Sequence, residues 1–294
     1  MVGLDGKSSD TTILNHIERI KDAFNIQKIY FVHIAEDLCL PESSELLYSE
    51  HIAPMDENIR KVLIDDLEAA FKTLDDLKYE IIVKDGDPST ELLKLIDIKQ
   101  IDLLVLGRKP KPGITYFSRQ LASRAPCSVI FVPKSGHGEY RKILVPMDFT
   151  STSKKALELA FTYQNDNEKT DVFPVHFYSV PKGYSKTGKS FDEFSSIMKE
   201  NAKNKFKDLL PRHLNKKFNL VLDKEENTAK NIFNYSLRKG ADLIMIGSKG
   251  RTKIASFLSG SVAAKLVEMS YHLPILIDKR KGYNLDAMGA LKKM

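Results

Sequence analysis

The segment Leu243–Gly250, with the sequence LIMIGSKG, carries the clearest structural signal in this chain. Four consecutive apolar residues predict a buried strand, and Gly247 predicts its end. A basic loop follows, and Gly260 and Ser261 then predict the start of a helix that continues with Val262. Glycines let backbone N–H groups approach an anion, and the first turn of a helix offers unpaired donors. The segment therefore predicts a phosphate site, with a plain strand–loop–helix connection as the alternative.

Composition limits the class of protein. The chain has 294 residues, 42% hydrophobic and 29% charged, which is enough for two globular domains. No apolar run approaches the roughly 20 residues of a membrane span, and no signal-peptide pattern opens the sequence, so we expect a cytoplasmic protein without a membrane partner. The net charge is +6, but basic residues alternate with acidic ones, which makes nucleic-acid binding an unfavoured interpretation. Two cysteines, Cys39 and Cys127, do not form a disulfide framework.

Strands alternate with helices along the first 133 residues. We predict strands at 1–5, 28–34, 79–83, 101–106 and 128–132, and helices around 13–24, 59–74, 92–96 and 116–124. Ser9 or Asp10 is predicted to cap the first helix. This order of elements predicts a parallel α/β sheet with right-handed crossovers.

The same pattern then begins again. The matching segments are Val2–Asp5 with Val145–Asp148, Val32–Ile34 with Val175–Phe177, and Ile101–Gly107 with Ala241–Gly247. Three matches in the same order, at offsets of 140 to 143 positions, indicate an internal duplication. We therefore predict a domain at 1–136, a second domain at 137–278 and a C-terminal tail at 279–294, with the boundary near Gly136.

The two halves differ in the segment predicted to hold phosphate. The span from Gly247 to Ile275 is six residues longer than the corresponding span from Gly107 to Val129. The shorter segment contains two prolines where free N–H donors would be needed, and no Gly-Ser pair. The lysines in it, Lys109 and Lys111, are better explained as a solvated turn. The first half is therefore predicted to have a degenerate site.

Strand ends show where a ligand would lie in the second half. In an open parallel sheet, ligands bind at the carboxyl ends of the strands, where the strand order reverses. Asp148, Val180 and Gly247 follow or end three of the predicted strands, so they are expected to share one crevice. The Asp148 carboxylate could accept a hydrogen bond from a sugar hydroxyl or a base amine. A helix-capping role is the alternative for Asp148, although Thr150 also offers a cap.

The pattern Gly247-x2-Gly250-x9-Gly260-Ser261 resembles the nucleotide-binding motif of the universal stress proteins. The resemblance covers nearly the whole chain, twice over. It implies two tandem Rossmann-like domains, each a five-stranded parallel sheet with helices on both faces, and binding of ATP or AMP, with Mg²⁺ bridging the phosphates. Asp148 and the Val180 region would contact the adenosine. The candidate nucleotide-binding residues are Pro146, Asp148, Val180, Gly247, Lys249, Gly250, Arg251, Gly260, Ser261 and Val262.

Signals for catalysis are weak in this sequence. The seven histidines show no metal-ligand spacing, and His33 and His176 occupy equivalent strand positions, which favours a structural role. The segment Gly247-x2-Gly250 lacks the G-x-x-x-x-G-K-[ST] spacing of a P-loop, and no G-x-S-x-G nucleophile motif is present. We therefore expect a nucleotide-binding regulatory protein of the stress response that acts on an unknown protein partner. The alternatives are a slow ATPase, or a scaffold that binds another ligand through its first half.

The resemblance also implies how the halves associate. By this resemblance, single-domain members of the family would form dimers through the last strand of each sheet. We therefore expect Ser128–Val132 to pair with Pro274–Ile277 in an intramolecular pseudo-dimer, and further homodimerisation stays open.

Overall fold

The computed structural model describes residues 1–7, 10–35, 55–71, 77–108, 116–134, 140–209, 218–224, 226–248, 261–269 and 272–279. The strands are β1 (Val2–Leu4), β2 (Ile29–Ala35), β3 (Tyr79–Asp85), β4 (Leu103–Arg108), β5 (Ser128–Pro133), β6 (Lys142–Pro146), β7 (Asp171–Tyr178), β8 (Asn219–Leu222), β9 (Leu243–Gly247) and β10 (Ile275–Asp278). The helices are α1 (Asp10–Ile20), α2 (Met55–Ala70), α3 (Pro88–Ile98), α4 (Tyr116–Arg124), α5 (Ser151–Asp166), α6 (Phe191–Leu209), α7 (Thr228–Lys239) and α8 (Ser261–Met269).

In the described parts of the chain, all ten strands belong to one sheet, in the order β3-β2-β1-β4-β5-β10-β9-β6-β7-β8. Within each half the neighbouring strands are parallel, as the alternation of strands and helices predicted. Each half runs outward from its first strand and then returns to the other side of that strand. The strand order therefore reverses between β1 and β4 in the first half, and between β6 and β9 in the second.

The two halves meet through their last strands. β5 and β10 pair antiparallel, with Ile130 opposite Leu276 and Val129 opposite Ile277. Where this pairing ends, the hydroxyl of Ser128 donates to the carboxylate of Asp278 at 3.2 Å, and both residues are buried. The expected intramolecular pseudo-dimer is confirmed by this pairing.

One hydrophobic core covers each face of the sheet, and each core continues across both halves. Strand β9 shows how a continuous apolar run contributes side chains to both hydrophobic cores. Leu243 and Met245 point into one core, whereas Ile244 and Ile246 point into the other, because successive side chains of a strand alternate between faces. No helix among the described residues is long and apolar enough to span a bilayer.

The predicted elements of the first half are present, with ends displaced by a few residues. One local prediction is wrong. Asp10 does not cap the amides of α1, because its carboxylate accepts hydrogen bonds from the preceding amides of Asp5, at 3.1 Å, and Gly6, at 2.7 Å. Ser9, the other predicted cap, lies outside the described residues. In the second half the chain forms a short 3-10 helix at Lys182–Thr187 that was not predicted.

A buried polar contact joins α1 to the start of the second half. Oη of Tyr140 lies 2.5 Å from Nε2 of His16, and both side chains are almost completely buried. Nδ1 of His16 has no hydrogen-bond partner among the described residues. Burial, with a smaller contribution from Arg19, lowers the pKa of His16 from 6.5 to about 4, so this contact is made by a neutral imidazole.

The shifted pKa of His16 predicts a loss of stability in mild acid. Between pH 6.5 and pH 4 the unfolded chain binds a proton that the folded chain does not, so this contribution falls as the pH falls. The loss amounts to about 3 kcal/mol at 1.4 kcal/mol per pKa unit. Urea unfolding of wild type and of His16→Gln, measured at several pH values, isolates the contribution of His16. The difference in the free energy of unfolding between the two proteins should change over this pH interval, and a constant difference would contradict the lowered pKa of His16.

Candidate functional site

The carboxyl ends of β6, β7 and β9 lie at one edge of the second half, where the strand order reverses. β6 pairs with both β7 and β9, so the residues that follow these strands are neighbours. Asp148 comes two residues after β6, Val180 two residues after β7, and Gly247 is the last residue of β9. Pro146 is the buried last residue of β6. The structure therefore brings these predicted residues to one edge.

The loop after β9 leads to a helix at the predicted place. Helix α8 begins at Ser261, the residue at which the Gly-Ser pair was expected to open a helix, and Val262 in its first turn is half-buried. Four predicted residues lie outside the described part of the chain: Lys249, Gly250, Arg251 and Gly260. The described residues thus include both ends of the loop: it begins at the end of β9, which pairs with β6, and it ends at Ser261, where α8 begins.

Asp148 stabilises the start of α5 through another residue. Oδ1 of Asp148 accepts hydrogen bonds from the amide of Thr150 at 3.0 Å and from its hydroxyl at 2.6 Å. Thr150 is the N-cap of α5, and its Oγ1 accepts from the amide of Ser153. The cap is therefore supplied by Thr150, as the sequence allowed, and Asp148 orients it from the strand end.

Gly247 is required by close packing. A Cβ at this position would lie 2.6 Å from the carbonyl carbon of Thr152 and 2.8 Å from the amide nitrogen of Ser153. These are backbone atoms in the first turn of α5, so they cannot rotate out of the way. The absence of a side chain at 247 lets the N-terminus of α5 lie directly on the end of β9.

Phe149, between Asp148 and Thr150, has a left-handed backbone with φ +66°. This conformation is unfavourable for a bulky residue and costs on the order of 1–3 kcal/mol. The ring packs against His176, with centroids 4.6 Å apart, and edge-on against Phe206 at 4.9 Å. Nζ of Lys205 lies 5.7 Å from the centre of the same ring. Aromatic packing offsets the backbone strain and fixes the loop after β6.

His176 holds the end of β6 from the neighbouring strand. Its Nδ1 lies 2.7 Å from the carbonyl oxygen of Met147, and because a carbonyl only accepts, Nδ1 carries the proton. The first half repeats this contact, since Nδ1 of His33 lies 3.2 Å from the carbonyl oxygen of Leu4. Both histidines therefore have the structural role that their equivalent positions predicted.

Phe149 and Lys205 line two cavities at this edge. An open cleft of about 430 Å³ lies over Asp148, and a smaller cavity of about 80 Å³ lies beneath α6. The cleft is lined by Asp148, Phe149, Thr150, Lys154, Lys205, Asp208 and Leu209. Of these residues, only Asp148 was predicted from the sequence. Lys205, Asp208 and Leu209 were missed because α6 reaches the strand ends only through tertiary packing, whereas Phe149, Thr150 and Lys154 lie close to Asp148 in the sequence.

Comparison with known proteins gives the family. The sequence model of the universal stress protein family matches residues 1–133 and, a second time, residues 139–277. This chain belongs to the universal stress protein family. The resemblance stated from the sequence is thereby confirmed, and the two matches correspond to the two halves of the duplication.

Individual members resemble either one half or the whole chain. Universal stress protein MJ0577 of Methanocaldococcus jannaschii is 28% identical over 167 residues, which cover 48% of this chain and 96% of that protein. A universal stress protein from Archaeoglobus fulgidus has the same fold over 96% of this chain and 98% of its own, with a TM-score of 0.63 at 17% identity. A further solved universal stress protein, described in complex with cAMP, covers 46% of this chain and 94% of its own, at 22% identity with a TM-score of 0.32.

The first half of this universal stress protein has a different arrangement at the equivalent edge. Asp10 occupies the position of Ser153, and Gly6, with φ +69°, occupies that of Phe149. Asp10 is completely buried and lies close to Asp5. Burial, and to a smaller extent the charge of Asp5, raises the pKa of Asp10 to about 6. At this edge the first half therefore has a buried carboxyl group where the second half has the hydroxyl of Ser153.

The packing of Gly247 predicts different costs for the same substitution in the two halves. Gly247→Ala places Cβ against backbone atoms of α5, so we expect a loss of stability of about 1–3 kcal/mol. At the equivalent Gly107, an added Cβ would meet only the side chain of Ile13, which can change rotamer, so Gly107→Ala should cost less. Chemical unfolding of both variants measures the difference. An equal or larger loss for Gly107→Ala would contradict this packing argument.

Proposed function

We propose that this universal stress protein binds one adenine nucleotide, ATP or AMP, at the carboxyl edge of its second half. The proposal rests mainly on one observation: β9, which ends at Gly247 where the loop to α8 begins, pairs with β6 at the reversal of the strand order, and an open cleft lies over Asp148 just after β6. The cleft volume of about 430 Å³ lies within the range of 300–1,000 Å³ that is usual for ligand sites. Family membership adds support, because another member is described in complex with cAMP.

The adenosine part would lie over the ends of β6 and β7. Asp148 lines the open cleft, so its carboxylate would meet the sugar hydroxyls or the base amine. Val180 follows β7 at the same edge, where its backbone groups would meet the edge of the base. Pro146 would support this end of the site from within β6.

The phosphates would lie between the end of β9 and the first turn of α8. A helix N-terminus attracts anions through its unpaired N–H groups and its dipole, and Ser261 and Val262 supply that turn. Gly250 and Gly260 would let the backbone approach the phosphates, while Lys249 and Arg251 would reduce their charge. Mg²⁺ would be held mainly by the phosphates themselves, as is usual for this ion.

Binding without efficient hydrolysis would make this protein a regulator of the stress response. In this view the nucleotide changes the affinity of the chain for a protein partner. The working units would be the domains 1–136 and 137–278, with 279–294 as a tail. The site in the second domain would hold the nucleotide, and the first domain would serve as its structural partner.

Gly260→Asp is expected to lower ATP affinity at least tenfold. The new carboxylate would enter the proposed phosphate loop, where it would repel the phosphates and block close approach of the backbone. Gly113→Asp is the matched control, because Gly113 lies in the shorter connection of the first half. Isothermal titration calorimetry should give one ATP per chain for wild type and an unchanged affinity for the control variant.

Two results would contradict the proposal. Equal ATP affinity in wild type and Gly260→Asp would place the nucleotide elsewhere. Two ATP molecules per wild-type chain, with one lost in Gly113→Asp, would show that the first half also has a working site.

A further inference from the structure

The C-terminal end of α8 is held by two arginines of the first half. Nη2 of Arg108 donates a hydrogen bond to the backbone oxygen of Glu268 at 2.9 Å. The guanidinium of Arg119, on α4, forms an ion pair with the carboxylate of the same residue. Arg108 is half-buried, whereas Arg119 is exposed. The firmer of the two contacts is therefore the bond from Arg108 to the helix backbone.

The antiparallel seam explains why these residues meet. Because β5 and β10 run in opposite directions, the carboxyl end of β4 lies where the second half has the amino ends of its strands. Helix α8 ends there, just before β10 begins. Arg108 follows Gly107, so it holds the position that Ser248 holds after Gly247 in the second half. The first half thus has an arginine where the second half begins its loop to α8.

The reciprocal contact has the same form. Nζ of Lys279, directly after β10, donates to the carbonyl oxygens of Ser123 at 3.2 Å and Ala125 at 2.8 Å, at the C-terminal end of α4. Each half therefore places a cation on the last carbonyls of the other half's final helix. Cations at this end of a helix are favourable, because the carbonyls there carry the negative end of the helix dipole.

We propose that Arg108 is a positioning residue for the phosphates of the nucleotide bound by the second half. This inference rests on the proposed function. Helix α8 has nine residues and is about 13 Å long, so a constraint at Glu268 also limits the direction of its N-terminal turn. By fixing one end of α8, Arg108 keeps the N–H groups of the other end directed at the phosphates. The first half then contributes to a site that it does not touch.

The test compares ligands with and without phosphates. In Arg108→Met the aliphatic stem remains but the cation is lost, and ATP affinity should fall about fivefold. Adenosine has no phosphate, so its affinity, measured by displacement of labelled ATP, should not change. Arg108→Lys, which retains the cation, should recover most of the ATP affinity. Arg60→Met is the control, because Arg60 donates a similar bond to the carbonyl of Ile81 within the first half, at 3.0 Å.

The outcomes separate this inference from the proposed function. Selective loss of ATP affinity in Arg108→Met, but not in Arg60→Met, would support the inference. An equal loss for ATP and adenosine, or no loss for either, would overturn it while the proposed function stands. If wild type binds neither ATP nor AMP, the proposed function itself fails, and this inference fails with it.

Discussion

The antiparallel pairing of β5 with β10 is the constraint on which the rest of the structure depends. It joins two parallel sheets into one and lets each hydrophobic core continue across both halves. It also turns the carboxyl edges of the two halves in opposite directions. Each edge therefore lies beside the end of a helix from the other half, and the contacts of Arg108 and Lys279 follow from this geometry.

Within this common frame the two halves have diverged at the edge where a ligand would lie. Both use a histidine of the second strand to hold the end of the first, as His33 and His176 do. The loop that follows differs, because a buried carboxyl at Asp10 replaces the hydroxyl of Ser153. In the second half Phe149 has a left-handed backbone, packs against His176 and lines the open cleft over the end of β6. These differences lie at the edge where we propose that the second half holds its ligand.

Local signals predicted the fold and the two ends of the proposed phosphate loop. The apolar run that ends at Gly247 and the Gly-Ser pair before Val262 each occupy a few consecutive residues. The repeated strand pattern is found by comparing the two halves of the chain. The sequence alone was therefore sufficient for these features. The role of Asp10 was predicted wrongly, because its carboxylate bonds to a loop that a capping rule does not include. The contribution of Phe149 and the cross-half bond of Arg108 depend on residues far away in the sequence, so no local pattern could reveal them.

The central claim is that one half keeps a nucleotide site and the other supports it. The most direct test is mass spectrometry of the small molecules released when protein purified without added nucleotide is denatured. This account predicts about one equivalent of an adenine nucleotide per chain, since a single site is expected. Two equivalents would show that the first half also binds nucleotide, and a complete absence of nucleotide, together with no uptake of added ATP, would contradict the account.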